Sequence, residues 1–186
     1  MVECTKIITG EIMTKSVPNV TFKTRVRDES IGGDNPFRWQ DVTTSDIFDN
    51  KTVIVFSLPG AYTPTCSTYQ LPGFEDNFAK FQAHGIDDIY VLSVNDTFVM
   101  NKWIQAQGVK NIKPIPDGNG EFTQALDMLV DKSNIGFGKR SWRYAMIVKN
   151  GEIQKMFVEP GKCDNAGGDP YGESSPETIL NYLDSK

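Results

Sequence analysis

Residues 52–58 (Thr, Val, Ile, Val, Phe, Ser, Leu) are β-branched, aromatic and apolar, and Pro59 and Gly60 close them. A short apolar run bounded by such a turn signal reads as a buried strand. After Cys66 the pattern changes. Tyr69, Phe74, Phe78 and Phe81 recur at roughly helical spacing, with Asn77, Lys80 and Gln82 between them. The chain therefore runs strand, tight loop, helix, and Cys66 stands near the helix start. Unpaired backbone N–H groups and the positive end of the helix dipole point there.

The rest of the chain extends this pattern. Residues 1–16 are mixed and fit a strand or a loose arm. Residues 17–26 alternate well enough for a strand, with Val20 and Phe22 inward. Residues 27–38 hold Gly32, Gly33, Asp34, Asn35 and Pro36 and read as a turn or loop. Residues 43–48 offer capping side chains followed by apolar ones, which predicts one short helical turn. A second buried strand is expected over residues 89–94. A helix follows over residues 97–106, with Phe98, Trp103 and Ile104 as its apolar face. Residues 112–115 suit a short strand, 117–120 a turn and 121–129 a helix, and 135–138 break the pattern. Residues 143–148 read as a strand. Asn150 and Gly151 are a strong hairpin signal, and residues 152–158 are the partner strand. Ser175 and Pro176 cap and start a last helix that runs to about Leu183. Helical crossovers imply a parallel core, and the late hairpin adds antiparallel strands. The expected fold is thus α/β: a thioredoxin-like arrangement with an N-terminal extension and a central mixed sheet flanked by helices.

A chain of 186 residues suits one domain, residues 1–186, burying roughly 70% of its unfolded surface. The net charge of −5 and the lack of any Lys/Arg cluster argue against a nucleic-acid partner. No apolar run approaches the ~18 residues of a membrane span. The N-terminus has neither the charged nor the apolar part of a secretory signal and little Arg for a transit peptide. A cytoplasmic location is expected, with room for an organellar leader already removed. Three cysteines form an odd, sparse set that suits a reducing compartment better than a disulfide scaffold.

Other chemistries find little support. His84, the single histidine, falls in the expected last turn of the helix after Cys66, where a surface role at a helix C-terminus is the ordinary reading. It lies about five turns from Cys66, which disfavours a Cys–His protease. One histidine and scattered cysteines match no metal-site spacing. Asp117, Gly118, Asn119 and Gly120 resemble the start of a calcium loop but lack its later ligands. The glycine pairs at 32–33 and 136–138 do not sit between a strand and a helix, so they cradle no phosphate. Phe98, Trp103 and Phe122 read as core. No Cys-x-x-Cys is present, since Ser67, Thr68 and Tyr69 follow Cys66.

The position of Cys66 has chemical consequences. A free thiol has a pKa of about 8.5, and only its thiolate is nucleophilic. A helix N-terminus with one nearby cation lowers such a value, and a drop of about 2 units equals roughly 2.7 kcal/mol. Thr63, on the same loop, offers a hydroxyl, and Pro59 and Pro64 stiffen the loop. Taken alone, a buried structural cysteine is the ordinary reading.

Pro59, Thr63 and Cys66 fit the PxxxTxxC signature of the peroxiredoxins, and residues 56–67 closely resemble the type-5 (atypical) subfamily. The resemblance continues through residues 71–74, 142–146 and 169–174 and covers most of the chain from about Val17. It implies a thioredoxin fold and a thiol peroxidase that reduces hydrogen peroxide or small alkyl hydroperoxides. By that resemblance Cys66 attacks the peroxide and becomes sulfenic acid. Thr63 and Arg143 polarise the O–O bond, and Pro59 shields the sulfur. The ordinary reading of Arg143 alone is a solvent-exposed strand end. No cofactor is implied, and a homodimer is. Cys4 reads as incidental. Cys163, in a Gly-rich loop, is either a surface thiol or a resolving cysteine that pairs with Cys66. The alternative recycling route is reduction of Cys66 by glutathione or glutaredoxin, which the segment at 169–176 favours by resemblance over thioredoxin. A second class of function uses the same motif: a peroxide sensor or binding module without sustained turnover.

Overall fold

The computed structural model describes residues 16–186. Cys4 and the expected arm up to residue 15 lie outside the described residues. Ser16 bridges to Glu152. The first strands, β1 (Thr21–Arg27) and β2 (Phe37–Thr43), pair antiparallel from Thr21↔Thr43 to Arg27↔Phe37. The sequence reading misses β2. Its residues carry no inward alternation, because this ribbon buries little, and Phe22 on β1 is its one fully buried side chain. Thr43 then caps α1 (Thr44–Phe48) in a reciprocal box. Its hydroxyl accepts from Asp46 N, and the Asp46 carboxylate accepts from Thr43 N.

β3 (Thr52–Ser57) leads to a helical segment with a break in it. A helical turn opens at Pro64, and a π-helical turn covers Cys66–Gln70, with Leu71 N bonded to Cys66 O. α2 (Leu71–Asp76) and α3 (Phe78–Ala83) follow, separated at Asn77. The single regular helix expected here is therefore corrected. The wider turn inserts one residue, so Tyr69 faces solvent at 64% exposure while Gln70 points inward, fully buried. The chain continues through β4 (Asp88–Ser93), α4 (Thr97–Ala106), β5 (Lys113–Pro116) and α5 (Glu121–Ala125). A small hairpin of β6 (Leu129–Asp131) and β7 (Lys139–Ser141) follows. Then come β8 (Tyr144–Lys149), β9 (Glu152–Val158) and α6 (Pro176–Asp184), which Ser175 caps.

The central sheet has the order β5-β4-β3-β8-β9. β3, β4 and β5 are parallel, and β8 and β9 join antiparallel. Central β3 is covered on both faces, which is why its sequence is continuously apolar rather than alternating. Ile54 and Phe56 enter one core with Phe74, Phe81, Trp103, Ile179 and Cys66 itself. Val53 and Val55 enter the other with Phe48, Phe122 and Tyr144. Asn150 and Gly151, both at positive φ, turn β8 into β9 as a type I′ hairpin. This is the thioredoxin-like mixed sheet that the element order predicts. The helix expected over residues 121–129 ends at Ala125, with Leu129 opening β6, and Phe98 departs from its expected face. α4 buries Thr97, Met100 and Trp103, so Phe98 lies off that face and is 51% exposed, edge-on to Trp39 and near the Arg25 guanidinium.

Candidate active site

The loop from Pro59 to Thr65 is built on the end of β3. Ala61 N donates to Asn95 Oδ1 at 3.1 Å, and Ser93 Oγ donates to the same oxygen, tying the loop to the end of β4. Thr63 Oγ1 donates to Gly60 O at 2.8 Å, and Ser67 N donates to Thr63 O. A Cβ on Gly60 would sit tight against Arg140 Nη1 at 3.1 Å and Thr63 Cγ2 at 3.3 Å. Tyr62 has φ 64°, a left-handed conformation that is costly for a residue with a side chain. Trp103 Nε1 donates to Ser67 Oγ at 3.0 Å and fixes the residue after Cys66.

Cys66 is a free, fully buried thiol. Arg143 stands immediately before β8, 1% exposed, and not at the solvent-facing strand end that Arg usually takes. Its Nη1 lies 3.4 Å from Cys66 Sγ and also donates to Gln70 Oε1. Its Nη2 donates to both oxygens of Asp169, at 2.6 and 2.7 Å. Burial pulls the guanidinium pKa down. Cys66 and Asp169 pull it up and prevail, so the pKa is raised and the charge is held. Two buried donors of this cluster, Arg143 Nε and Gln70 Nε2, have no hydrogen-bond partner among the described residues. An arrangement of this kind offers N–H groups to a small oxygen-bearing molecule.

The segment after β9 closes the site. Glu159, nearly fully buried, accepts from Gly172 N, Ser174 N and Ser174 Oγ at 2.8, 2.8 and 2.7 Å. Its own N–H donates to Arg143 O. Tyr171 lies with its ring 5.7 Å from the Arg143 guanidinium carbon. Burial, followed by Glu177, pushes its phenol up to about 12, so it stays neutral here.

The structure thus brings Cys66 and Arg143 together and puts Pro59 and Thr63 on the loop leading to them. The Thr63 hydroxyl makes its hydrogen bond to Gly60 O. Cys163 is partly buried in a loop tied to β6 through Asp131 N to Asp164 Oδ1 and Asn165 N to Asp131 O. It is disulfide-bonded while Cys66 is free, so no bond joins the two. The sequence reading misses Gln70, Asp169 and Tyr171 as contacts of Arg143. Gln70 had a readable signal: it sits four and eleven residues before Phe74 and Phe81, a polar residue in line with the apolar face. Asp169 had none, because 26 residues separate it from Arg143. His84 pairs with Asp184 at 2.9 Å, between α3 and α6.

The chain is similar to known proteins over most of its length. The family model described as Redoxin matches residues 16–169. A peroxiredoxin of Rhizobium etli is 61% identical over 171 residues, covering 92% of this chain and 96% of that protein. The hybrid peroxiredoxin hyPrx5 of Haemophilus influenzae is 56% identical over 169 residues, covering 91% of this chain and 65% of its own length. Among solved structures, the Plasmodium falciparum antioxidant protein, a 1-Cys peroxiredoxin, superposes with a TM-score of 0.85 at 38% identity. That match covers 92% of this chain and 98% of the other. A buried thiol held against a buried guanidinium is thus found on a chain that belongs to the Redoxin family and, within it, to the peroxiredoxins, thiol-dependent peroxidases.

Proposed function

We propose that Cys66 is the nucleophile of this peroxidase and that Arg143, Thr63 and Pro59 complete its site. The observation that carries the reading is the 3.4 Å contact of Arg143 Nη1 with a fully buried free Cys66, beside two unpartnered donors. The Cys66 thiolate attacks the terminal oxygen of hydrogen peroxide or a small alkyl hydroperoxide. The S–O bond forms as the O–O bond breaks. The departing alkoxide or hydroxide takes a proton from water, and the sulfur is left oxidised as sulfenic acid. The guanidinium cannot lose its proton, so it supports the charge moving from sulfur to the leaving oxygen. The Arg143 Nε and Gln70 Nε2 hydrogens suit the peroxide oxygens. Thr63, by donating to Gly60 O, holds the loop in shape, and buried Pro59 keeps water from the sulfur.

The second half of the cycle uses an external thiol, with glutathione and glutaredoxin as donor. In support, Cys66 and Cys163 are unlinked, and the Plasmodium protein that this chain resembles is a 1-Cys peroxiredoxin. Glutathione attacks the sulfenic acid, water leaves, and a second thiol reduces the mixed disulfide. Peroxide consumption is measured with glutathione plus glutaredoxin and, separately, with thioredoxin plus its reductase. The first arm is expected to sustain turnover, with Cys163→Ser nearly unchanged and Cys66→Ser inactive. Turnover by Cys66→Ser above about a tenth of the parent would move the chemistry elsewhere. Loss of turnover in Cys163→Ser would make Cys163 the resolving residue.

A homodimer across the active-site face is supported by Tyr62 and Tyr69, two exposed rings flanking Cys66 at 55% and 64% exposure. Sedimentation equilibrium should give a dimer that the double substitution Tyr62→Ser and Tyr69→Ser weakens. A parent that sediments as a monomer would contradict this.

A further inference from the structure

We propose that Asp169 is a positioning residue for the peroxidase reaction: its carboxylate fixes the Arg143 guanidinium in the plane that serves both Cys66 and the peroxide. The proposal rests on the reading of Cys66 and Arg143 given above.

A guanidinium is planar, with two N–H bonds on each terminal nitrogen and one on Nε. Around Arg143 the terminal donors have partners: Nη1 serves Cys66 Sγ and Gln70 Oε1, and Nη2 serves Asp169 Oδ1 and Oδ2. Only Nε is left over, buried and without a partner among the described residues. Contacts at both terminal nitrogens fix the plane and hold Nε ready. Without Asp169 the Nη2 end has nothing to hold it, and the group can turn about its own stem.

The chain is arranged to deliver this carboxylate. Asn165 N is tied to Asp131 O on one side. On the other side, buried Glu159 accepts from Gly172 and Ser174, and Tyr171 lies against the guanidinium. Gly167 and Gly168 lie between these anchors, where an added Cβ would meet nothing within 4 Å, so the anchors rather than packing at the glycines place Asp169. A carboxylate on Arg143 also opposes the pull of the cation on a thiolate. Its contribution to a thiolate enzyme is therefore orientation rather than charge. The charged and titratable groups around the pair include Asp169, the neutral Tyr171 phenol, Glu177 acting on that phenol, Glu159 behind the segment and Arg140 against the loop at Gly60.

The experiment compares Asp169→Asn, Asp169→Ala and Asp169→Glu with the parent. Two quantities are read: the pH midpoint of Cys66 alkylation, and the second-order rate with hydrogen peroxide at a pH above all the midpoints. Asp169→Asn and Asp169→Ala are expected to lower the midpoint, since a negative charge leaves the guanidinium. Both should slow the peroxide reaction about tenfold or more, because misplacement of a catalytic group by ~1 Å is enough for such losses. Asp169→Glu keeps the charge but adds a methylene, so it should restore the midpoint and not the rate. Rates within about twofold of the parent in both neutral variants would overturn the proposal, as would a midpoint that does not fall. Cys66→Ser runs in the same assay. If it keeps its activity, the underlying reading fails and this one with it. If it is inactive while the Asp169 variants react like the parent, the role of Asp169 alone is refuted.

Discussion

Arg143 keeps a full charge with 1% of its surface exposed, and its neighbours account for that. Removal of such a group should affect chemistry more than folding, since Gln70 and Asp169 remain hydrogen-bonding groups that water can reach once the side chain is gone. Arg143→Ala is expected to move the alkylation midpoint of Cys66 upward. It should also slow the peroxide reaction by about 10²-fold or more, the range for loss of one electrostatic donor. Arg143→Lys should recover only part, because a point charge cannot span Cys66, Gln70 and Asp169 together. Stopped-flow peroxide mixing across pH reads both effects, and an unchanged profile in Arg143→Ala would remove Arg143 from the site. At this scale the sequence is informative where chemistry is compressed into a few adjacent residues. Pro59, Thr63 and Cys66 are legible together, through the resemblance of one short loop to the PxxxTxxC signature. Arg143 is legible only through resemblance, because nothing in its own neighbourhood distinguishes it from a surface arginine. Asp169 is silent, since its role comes from a contact that only the folded chain makes.

The parallel strands are tied at one end by Asp88, the first residue of β4. Its carboxylate accepts from Lys51 Nζ at 3.1 Å, one residue before β3, and from Lys113 Nζ at 2.6 Å, the first residue of β5. Burial raises the carboxyl pKa, the two lysines lower it, and the lysines prevail, so the folded value lies below the ordinary 3.8. A depressed folded pKa means that this stabilisation is fully present above the unfolded value and is lost as pH falls through the folded one. Asp88→Asn should cost about 1 kcal/mol near pH 7, the upper range for a solvent-screened pair. The cost should be smaller around pH 2, because this stabilisation is lost as pH falls through the folded value. Denaturant unfolding at both pH values checks this, and an equal cost at each would assign the effect to packing. Elements with a buried face are the ones the sequence announces: β3, β4, α4 and the β8–β9 hairpin lie where periodicity and Asn150-Gly151 place them. β2 is silent because it is held by backbone pairing on a mostly solvated ribbon. The π-helical turn at Cys66 is silent because one inserted residue changes the phase of the helix without altering its composition.

Over the whole molecule, the fold was legible because the order of its elements limits the topology, with crossover helices requiring parallel β3, β4 and β5. The same order brings the loop after β3, the start of β8 and the segment after β9 to one place, around Cys66. The central claim is that oxidation of this chain by peroxide begins at that sulfur. The direct measurement is one turnover with equimolar hydrogen peroxide in the presence of dimedone, a sulfenic-acid trap, followed by peptide mass mapping over all three cysteines. The account predicts a stoichiometric adduct on the Cys66 peptide, none on peptides bearing Cys4 or Cys163, and slower formation in Arg143→Ala. Peroxide consumed with the adduct on another cysteine, or with Cys66 still alkylatable, would contradict it.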